Sequence, residues 1–135
     1  MSTAEPPPAR AVSRSRVSNL HDGLLRGVSA DHGGTGTILA HRAYRREGAP
    51  APVAFIDLVV LPPDTSIGRH RHADDEETYV ILDGRGLMTL DGEEFEVRAG
   101  DVIPNRAYGE HGLANVSEGD LRLLVFEIGP LGGAE

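Results

Sequence analysis

Two histidines, His70 and His72, stand one residue apart and are followed by four consecutive acids at residues 74–77, in the stretch GRHRHADDEETYVILDG. Alternate side chains of a β-strand share a face, so a strand here would point both imidazoles the same way, close enough to chelate one ion. A carboxylate at the start of the next strand would supply a third ligand, and each of the four acids is a candidate. The spacing predicts a site for a divalent metal.

The next candidate ligand is His111, in the stretch GEHGLAN about forty residues later. Three neutral imidazoles and one carboxylate leave a divalent site with net positive charge and open coordination positions, which suits an anionic substrate or dioxygen. The alternative is a solvated histidine pair at a strand start, followed by a solvated run of acids on a turn. The distant histidine, followed by an apolar stretch that contains glycine, favours the metal site.

Short apolar runs and turn signals alternate over most of the chain. VAFIDLVVL is β-branched and apolar and ends at Pro62, and DGEE between LMTL and FEV is typical of a hairpin. Close spacing of this kind predicts an all-β antiparallel fold, closed or sandwiched so that its edges are hidden. Strands are expected at about residues 35–44, 53–61, 66–72, 76–82, 86–90, 94–98, 101–104, 109–115 and 121–128.

The first residues differ from the rest in composition. Residues 1–16 are rich in Pro, Ser, Ala and Arg without an apolar period, which predicts a flexible tail. Residues 17–135 would then form a single domain, starting with a possible short turn before the first strand.

Composition excludes several classes of function. The chain has 135 residues, 13 basic and 21 acidic, and a net charge of −8. Nucleic-acid binders use clustered Lys and Arg, so this excess of acid argues against nucleic acid and against an anionic membrane surface. Because there is no cysteine, any metal must use imidazole and carboxylate. No apolar run reaches the length of a membrane span and the N-terminus lacks signal-peptide order, so we expect a cytoplasmic protein.

Five further residues are candidates for contact with a substrate or for catalysis. Asp57 interrupts an apolar strand; it either faces the interior, near a ligating histidine or substrate, or faces solvent. Tyr79 would line the cavity, where a phenol orients substrate or moves a proton, or it belongs to the core. Asn105 and Tyr108 precede the third histidine and border either the cavity mouth or solvent. Phe126, in the last strand, is a cavity wall or simple packing.

The remaining histidines and two arginines are assigned to the surface. His21, His32 and His41 precede the main run of strands, and we expect each to be a surface residue. Arg69 and Arg71 flank the paired histidines with opposite parity, so they should point away from the ion.

Two stretches resemble the motifs of the cupin superfamily. HRHADDEETYVILDG is similar to the first motif: His-x-His, three or four residues, Glu, six residues and Gly. Counting back six residues from Gly84 selects Glu77 as the ligand rather than Glu76. GDVIPNRAYGEHGLAN is similar to the second motif, whose closing His and Asn match His111 and Asn115.

The resemblance covers about residues 35–128, with two departures. Asp64 stands where the first motif commonly has a glycine, and PNRAYGEH replaces the usual loop before the last histidine. The resemblance implies a small double-stranded β-helix, or jelly-roll barrel, and makes residues 74–76 a solvated turn. It also implies a metal near one end of the interior, held by four ligands: His70, His72, Glu77 and His111.

The resemblance to small single-domain cupins carries expectations about function. The metal would be iron, manganese, nickel or zinc, and the protein a homodimer that exchanges N-terminal strands, for which TILAHRAY is the candidate. The expected activity is that of a metal-dependent enzyme, an oxygenase or an isomerase or lyase, acting on a small polar or carboxylated metabolite. The alternatives are a non-catalytic module that binds a sugar or metabolite, and an accessory protein of a biosynthetic pathway.

Overall fold

Ten β-strands and one short 3₁₀ turn are found in residues 15–47 and 51–129, the part of the chain that the computed structural model describes. The predicted tail lies outside the described residues, apart from residues 15 and 16. Within the described ranges, no helix is long and apolar enough to cross a membrane. The elements are β1 Arg26–Ser29, the 3₁₀ turn Asp31–Gly33, β2 Thr37–Arg45, β3 Val53–Leu61, β4 Ser66–Arg71, β5 Glu76–Asp83, β6 Arg85–Leu90, β7 Glu93–Arg98, β8 Val102–Asn105, β9 Glu110–Ala114 and β10 Leu121–Ile128.

The strands form two antiparallel sheets. Six strands pair in the order β1-β2-β3-β10-β5-β8, and four pair in the order β4-β9-β6-β7. Buried side chains from both sheets, such as Leu123 of the first and Met88 of the second, belong to one hydrophobic cluster. The sheets therefore pack face to face, which confirms the predicted all-β antiparallel architecture.

Alternation along β10 decides which of its side chains reach the interior. Leu121, Leu123 and Val125 are buried, whereas Phe126 is only partly buried. Glu127 has the parity of the buried residues, so an acid stands at the inward position where the strand nears its end. This strand lies between β3 and β5 and therefore joins the parts of the sheet that border the cavity.

A bulge in β4 brings His70 into the interior. Ile67 pairs with Leu113 but His70 pairs with His111, so β4 holds one extra residue between these two positions. Such a residue reverses the alternation of faces, and both Ile67 and His70 consequently line the same cavity. Simple parity would have placed them on opposite faces.

The 3₁₀ turn packs closely against β4 at two glycines. A side chain at Gly68 would collide with the backbone carbonyl of His32, and one at Gly34 would collide with that of Ser66. Because both positions lack a Cβ, the turn approaches the strand closely enough for the His32 ring to stack on the His70 ring.

The strand predicted to exchange between subunits pairs within its own chain here. β2, which contains the whole of TILAHRAY, is hydrogen-bonded to β3 on one side and to β1 on the other. β1 itself was not predicted and lies at the edge of the sheet. Asp64, the residue at the motif's usual glycine, takes a left-handed φ of 63°, a conformation that Asp adopts more readily than most residues.

Candidate metal centre

Four side chains converge at one end of the barrel interior. One nitrogen or oxygen atom of each of the residues His70, His72, Glu77 and His111 lies within 4.8 Å of the others. Nε2 of His72 is 3.2 Å from Nε2 of His70. Oε1 of Glu77 is 3.2 Å from Nε2 of His111 and 3.5 Å from Nε2 of His72. The structure thus brings together the four residues that the motifs selected.

In two of the histidines, the hydrogen-bond partner of Nδ1 shows that the other ring nitrogen, Nε2, faces the centre of the cluster. Nδ1 of His70 lies 2.8 Å from the carbonyl oxygen of Gly68, and Nδ1 of His72 lies 2.7 Å from Oδ2 of Asp75. Both partners are acceptors, so Nδ1 carries a proton in each ring and Nε2 faces the centre of the cluster. Ligand atoms this close need a proton or a cation between them, and imidazole with carboxylate suits a divalent transition metal. The donor set fits such an ion.

The charges of the cluster are strongly coupled. Burial alone would raise the pKa of Glu77, but hydrogen bonds from His111 and His72 outweigh it and lower the pKa to about 2. The same contact with Glu77, assisted by Asp75 and opposed by burial, raises the pKa of His72 to about 9. Burial lowers the pKa of His70. Glu77 is therefore ionised and ready to bind a cation.

Asp75 corrects the expectation that residues 74–76 form a solvated turn. Its carboxylate is largely buried and holds His72, and it is also hydrogen-bonded to Glu127. Burial, together with the hydrogen bond and charge of Asp75, raises the pKa of Glu127 to about 7. Asp75 therefore links His72 to Glu127, and only Asp74 among residues 74–76 is exposed.

A cavity of about 250 Å³ reaches the cluster through His70 and Glu77. Tyr79 lies beside these two residues, with its ring 5.3 Å from that of His111. Most of the remaining wall is apolar, and the lining is completed by Val28, Asp31, His32, Ile38, Ala40, Arg42, Phe55, Asp57, Val59, Ile67 and Val125.

Asp57 faces this cavity as part of an ion pair. Its two oxygens accept hydrogen bonds from Nε and Nη2 of Arg42 at 2.8 and 3.0 Å. The guanidinium carbon lies 3.9 Å from the centre of the Phe55 ring, which fixes the plane of the guanidinium. Asp57 therefore faces the interior, which is one of the two placements that the sequence left open. Its hydrogen-bond partner is Arg42 and not a ligating histidine.

Tyr79 and Asn105 lie on the inward face of neighbouring strands. Burial and the charge of Glu77 raise the pKa of Tyr79 well above its usual range, so its phenol stays protonated. Asn105 pairs with Glu77 across the sheet, is 1% exposed, and has no hydrogen-bond partner for either side-chain atom among the described residues. A buried amide without partners is costly, so Asn105 is a group with hydrogen bonds to offer.

Two other candidates lie away from the cavity. The Tyr108 side chain is 65% exposed, and only its backbone takes part, because its carbonyl accepts a hydrogen bond from Arg71. Phe126 has opposite parity to Val125, which lines the cavity, and so its ring lies on the other face of the sheet.

The histidine and arginine assignments have a mixed outcome. Arg69 and Arg71 are exposed, in agreement with the prediction that they point outward. His32 is also half exposed, but it lines the cavity and its ring stacks 3.7 Å from that of His70, so the surface assignment missed its place at the site.

Comparisons with known proteins agree with this geometry. A family model described as Cupin domain matches residues 57–127. An uncharacterised protein of Methanocaldococcus jannaschii is 39% identical over 71 residues, which are 53% of this chain but only 57% of that relative. An oxalate-binding protein of Thermotoga maritima is 29% identical over 98 residues, 73% of this chain and 81% of that one.

A solved structure supports the fold directly. The crystal structure of a predicted oxalate decarboxylase from Thermotoga maritima has a TM-score of 0.79 and 27% sequence identity. The match covers 83% of this chain and 97% of that one. It confirms the jelly-roll barrel expected from the two motifs.

Proposed function

Because the chain belongs to the cupin family, we propose that it is a metal-dependent enzyme acting on a small carboxylated or polar metabolite. The metal is divalent and is bound by His70, His72, Glu77 and His111. The observation that carries the proposal is the convergence of three Nε2 atoms and one carboxylate oxygen beside a cavity of about 250 Å³. A likeness to a protein named as oxalate-binding supports a small carboxylate as ligand.

Four protein ligands would leave a bound divalent metal with open coordination positions for a substrate. When bound, a divalent metal supplies Lewis-acid polarisation of a substrate oxygen, and iron adds redox chemistry. Glu77 offsets part of the metal's charge, and the neutral imidazoles keep the site cationic enough to attract an anionic ligand.

Tyr79 lines the cavity and orients the substrate, whereas Asn105 is buried on the neighbouring strand outside the cavity wall. Tyr79, protonated and next to Glu77, donates a hydrogen bond to a substrate oxygen near the metal. The Asn105 amide is without partner among the described residues, and its N–H donors and carbonyl oxygen are available to a bound water next to Glu77. Asp57 contacts the substrate from the opposite wall.

A non-catalytic binding protein is the second candidate. The likeness to a Thermotoga maritima protein named for oxalate binding, and not for a reaction, favours this candidate. Turnover separates the two: an enzyme consumes small carboxylates in the presence of its metal, whereas a binding protein returns them unchanged. Oxygen uptake with the iron-loaded protein, and isomerisation or carbon dioxide release with the zinc-, nickel- or manganese-loaded protein, cover the expected reactions.

Metal content tests the site itself. Protein purified without added metal should hold close to one transition-metal ion per chain, measured by elemental analysis. The double variant His70→Ala, His111→Ala should lose that ion and fail to regain it on reconstitution, because two of its four ligands are gone.

The matched control removes two histidines of the same chain outside the cluster, His21→Ala and His41→Ala. This variant should keep the metal. Equal metal content in both double variants, or metal-free native protein that binds none on reconstitution, would falsify the proposed site. A homodimer and a cytoplasmic location remain predictions.

A further inference from the structure

We infer that Arg42 and Asp57 together recognise a hydroxyl group at the end of the substrate remote from the metal. This inference rests on the proposed function and narrows its substrate class. The preferred ligand is a hydroxylated monocarboxylate rather than a dicarboxylate: one end chelates the metal, and a hydroxyl at the other end contacts the ion pair.

The ion pair and the metal cluster border the same cavity from different strands. Asp57 of β3 pairs with Val125 of β10, which in turn pairs with Tyr79 of β5. Neighbouring strands lie about 4.8 Å apart, so Asp57 is about 10 Å from the row that holds Tyr79. Arg42 lies one strand further still, on β2. A ligand that contacts both must span the width of the cavity.

Part of the cavity wall is apolar. Four of its residues are Ile38, Val59, Ile67 and Val125, all of them buried. Such a surface suits the carbon chain of a ligand.

The pairing of Arg42 with Asp57 determines what the remote end accepts. Two guanidinium nitrogens are bound to the carboxylate, and the ring of Phe55 holds the guanidinium plane, so the arginine is not free to swing toward an anion. Asp57 is the buried member, with its side chain 13% exposed against 40% for Arg42, so a ligand that drew the guanidinium away would leave a carboxylate buried without its partner, which is unfavourable. A second substrate carboxylate would also meet the charge of Asp57 directly.

A hydroxyl group meets no such penalty. It donates to an oxygen of Asp57, which has lone pairs beyond the two that it uses, and it accepts from an N–H of Arg42. Within the described residues only Nε and Nη2 of this guanidinium have side-chain acceptors, so Nη1 remains for a ligand. Arg42 and Asp57 each form a hydrogen bond with the hydroxyl, and the hydrogen bonds between the two residues stay intact.

Two ligands that differ only at the remote end test the inference. Malate and 2,4-dihydroxybutanoate share a 2-hydroxycarboxylate group for the metal, and they end in a carboxylate and a hydroxyl respectively. Titration calorimetry with the zinc-loaded full chain should give a Kd at least tenfold lower for 2,4-dihydroxybutanoate. In Asp57→Asn, where Arg42 loses its counter-charge, malate should become the tighter ligand.

The control is Asp83→Asn, which removes an exposed acid outside the cavity and should keep the native preference. The comparison in the native protein needs no variant, so a variant that fails to fold leaves the test intact. Tighter binding of malate by the native protein overturns the inference, and so does binding of neither ligand, or an unchanged ratio in a folded Asp57→Asn. Zinc content, measured on the same samples, reports separately on the proposed metal site.

Discussion

Asp75 lies behind the cluster, and its substitution has the clearest expected effect on metal binding. Its oxygen lies 2.7 Å from Nδ1 of His72, on the side of the ring that faces away from the proposed metal. Carboxylates in this position hold a ligating imidazole in one tautomer and orientation and raise its basicity. Asp75 is thus a positioning residue for His72.

Removing this carboxylate should weaken metal binding. We expect Asp75→Ala to lower the affinity for zinc by about 10- to 100-fold, and Asp75→Asn by less, because its amide oxygen still accepts the hydrogen bond. Competition with a chromophoric chelator measures the affinity without any need for a substrate. The matched control is Asp74→Ala, at the exposed neighbour, which should bind zinc as the native protein does. Equal losses of zinc affinity at both positions would show that the turn, and not the hydrogen bond to His72, supports the metal site.

Sequence spacing predicted the four cluster residues but not what surrounds them. The motif spacing distinguished Glu77 from three adjacent acids, whereas nothing in DDEE marked Asp75 as the partner of His72. Its other partner, Glu127, is more than fifty residues away in sequence. Side-chain pairs that form across strands depend on register, and register was not available from the sequence. Arg42 was missed for the same reason.

Among the elements, the turn after β9 is held by one buried side chain, Asn115. Its amide nitrogen donates to the carbonyl oxygens of Leu61 and Gly119 at 2.8 and 2.7 Å. Its amide oxygen accepts from the backbone nitrogen and the hydroxyl of Ser117. The asparagine that closes the second motif is therefore structural: it ties β9 to the end of β3 and shapes the turn before β10.

Truncation of this side chain should destabilise the barrel without removing the metal site. Asn115→Ala leaves several buried groups unpaired, and we expect the free energy of unfolding to fall by about 2–3 kcal/mol. Urea unfolding of the metal-free protein measures the change. Ser117→Ala removes only the hydroxyl's hydrogen bonds at a less buried position and should cost about 1 kcal/mol; a loss in Asn115→Ala no larger than this would contradict the structural role.

Strand positions followed well from the sequence, since apolar runs and turn residues alternate clearly from residue 53 onward. The exceptions have physical causes. β1, with the sequence RGVS, has no apolar alternation and exists because β2 offers it a partner. Phe126 was a candidate for the cavity wall because both faces of β10 carry apolar residues, so hydrophobicity did not distinguish inward from outward. The bulge in β4 likewise leaves no mark in the pattern.

At the scale of the whole molecule, β1 bears on assembly, because within the described residues it is an edge strand of the six-stranded sheet. An edge strand presents unpaired backbone groups that pair readily with another chain. Leu24, a large apolar residue two positions before this strand, is 89% exposed. The net charge of −8 opposes association in general, so contact between copies requires a specific patch.

We therefore expect a homodimer in which the β1 edges of two copies face each other across a twofold axis, an arrangement that uses the same patch on both chains. Sedimentation velocity should give twice the chain mass of 14.4 kDa. Leu24→Glu places two like charges in that patch and should shift the protein to monomer, whereas Val116→Glu, at an exposed residue of a different loop, should leave it dimeric. A monomeric native protein would rule out the assembly, and a dimer equally unaffected by both changes would assign the interface to another surface.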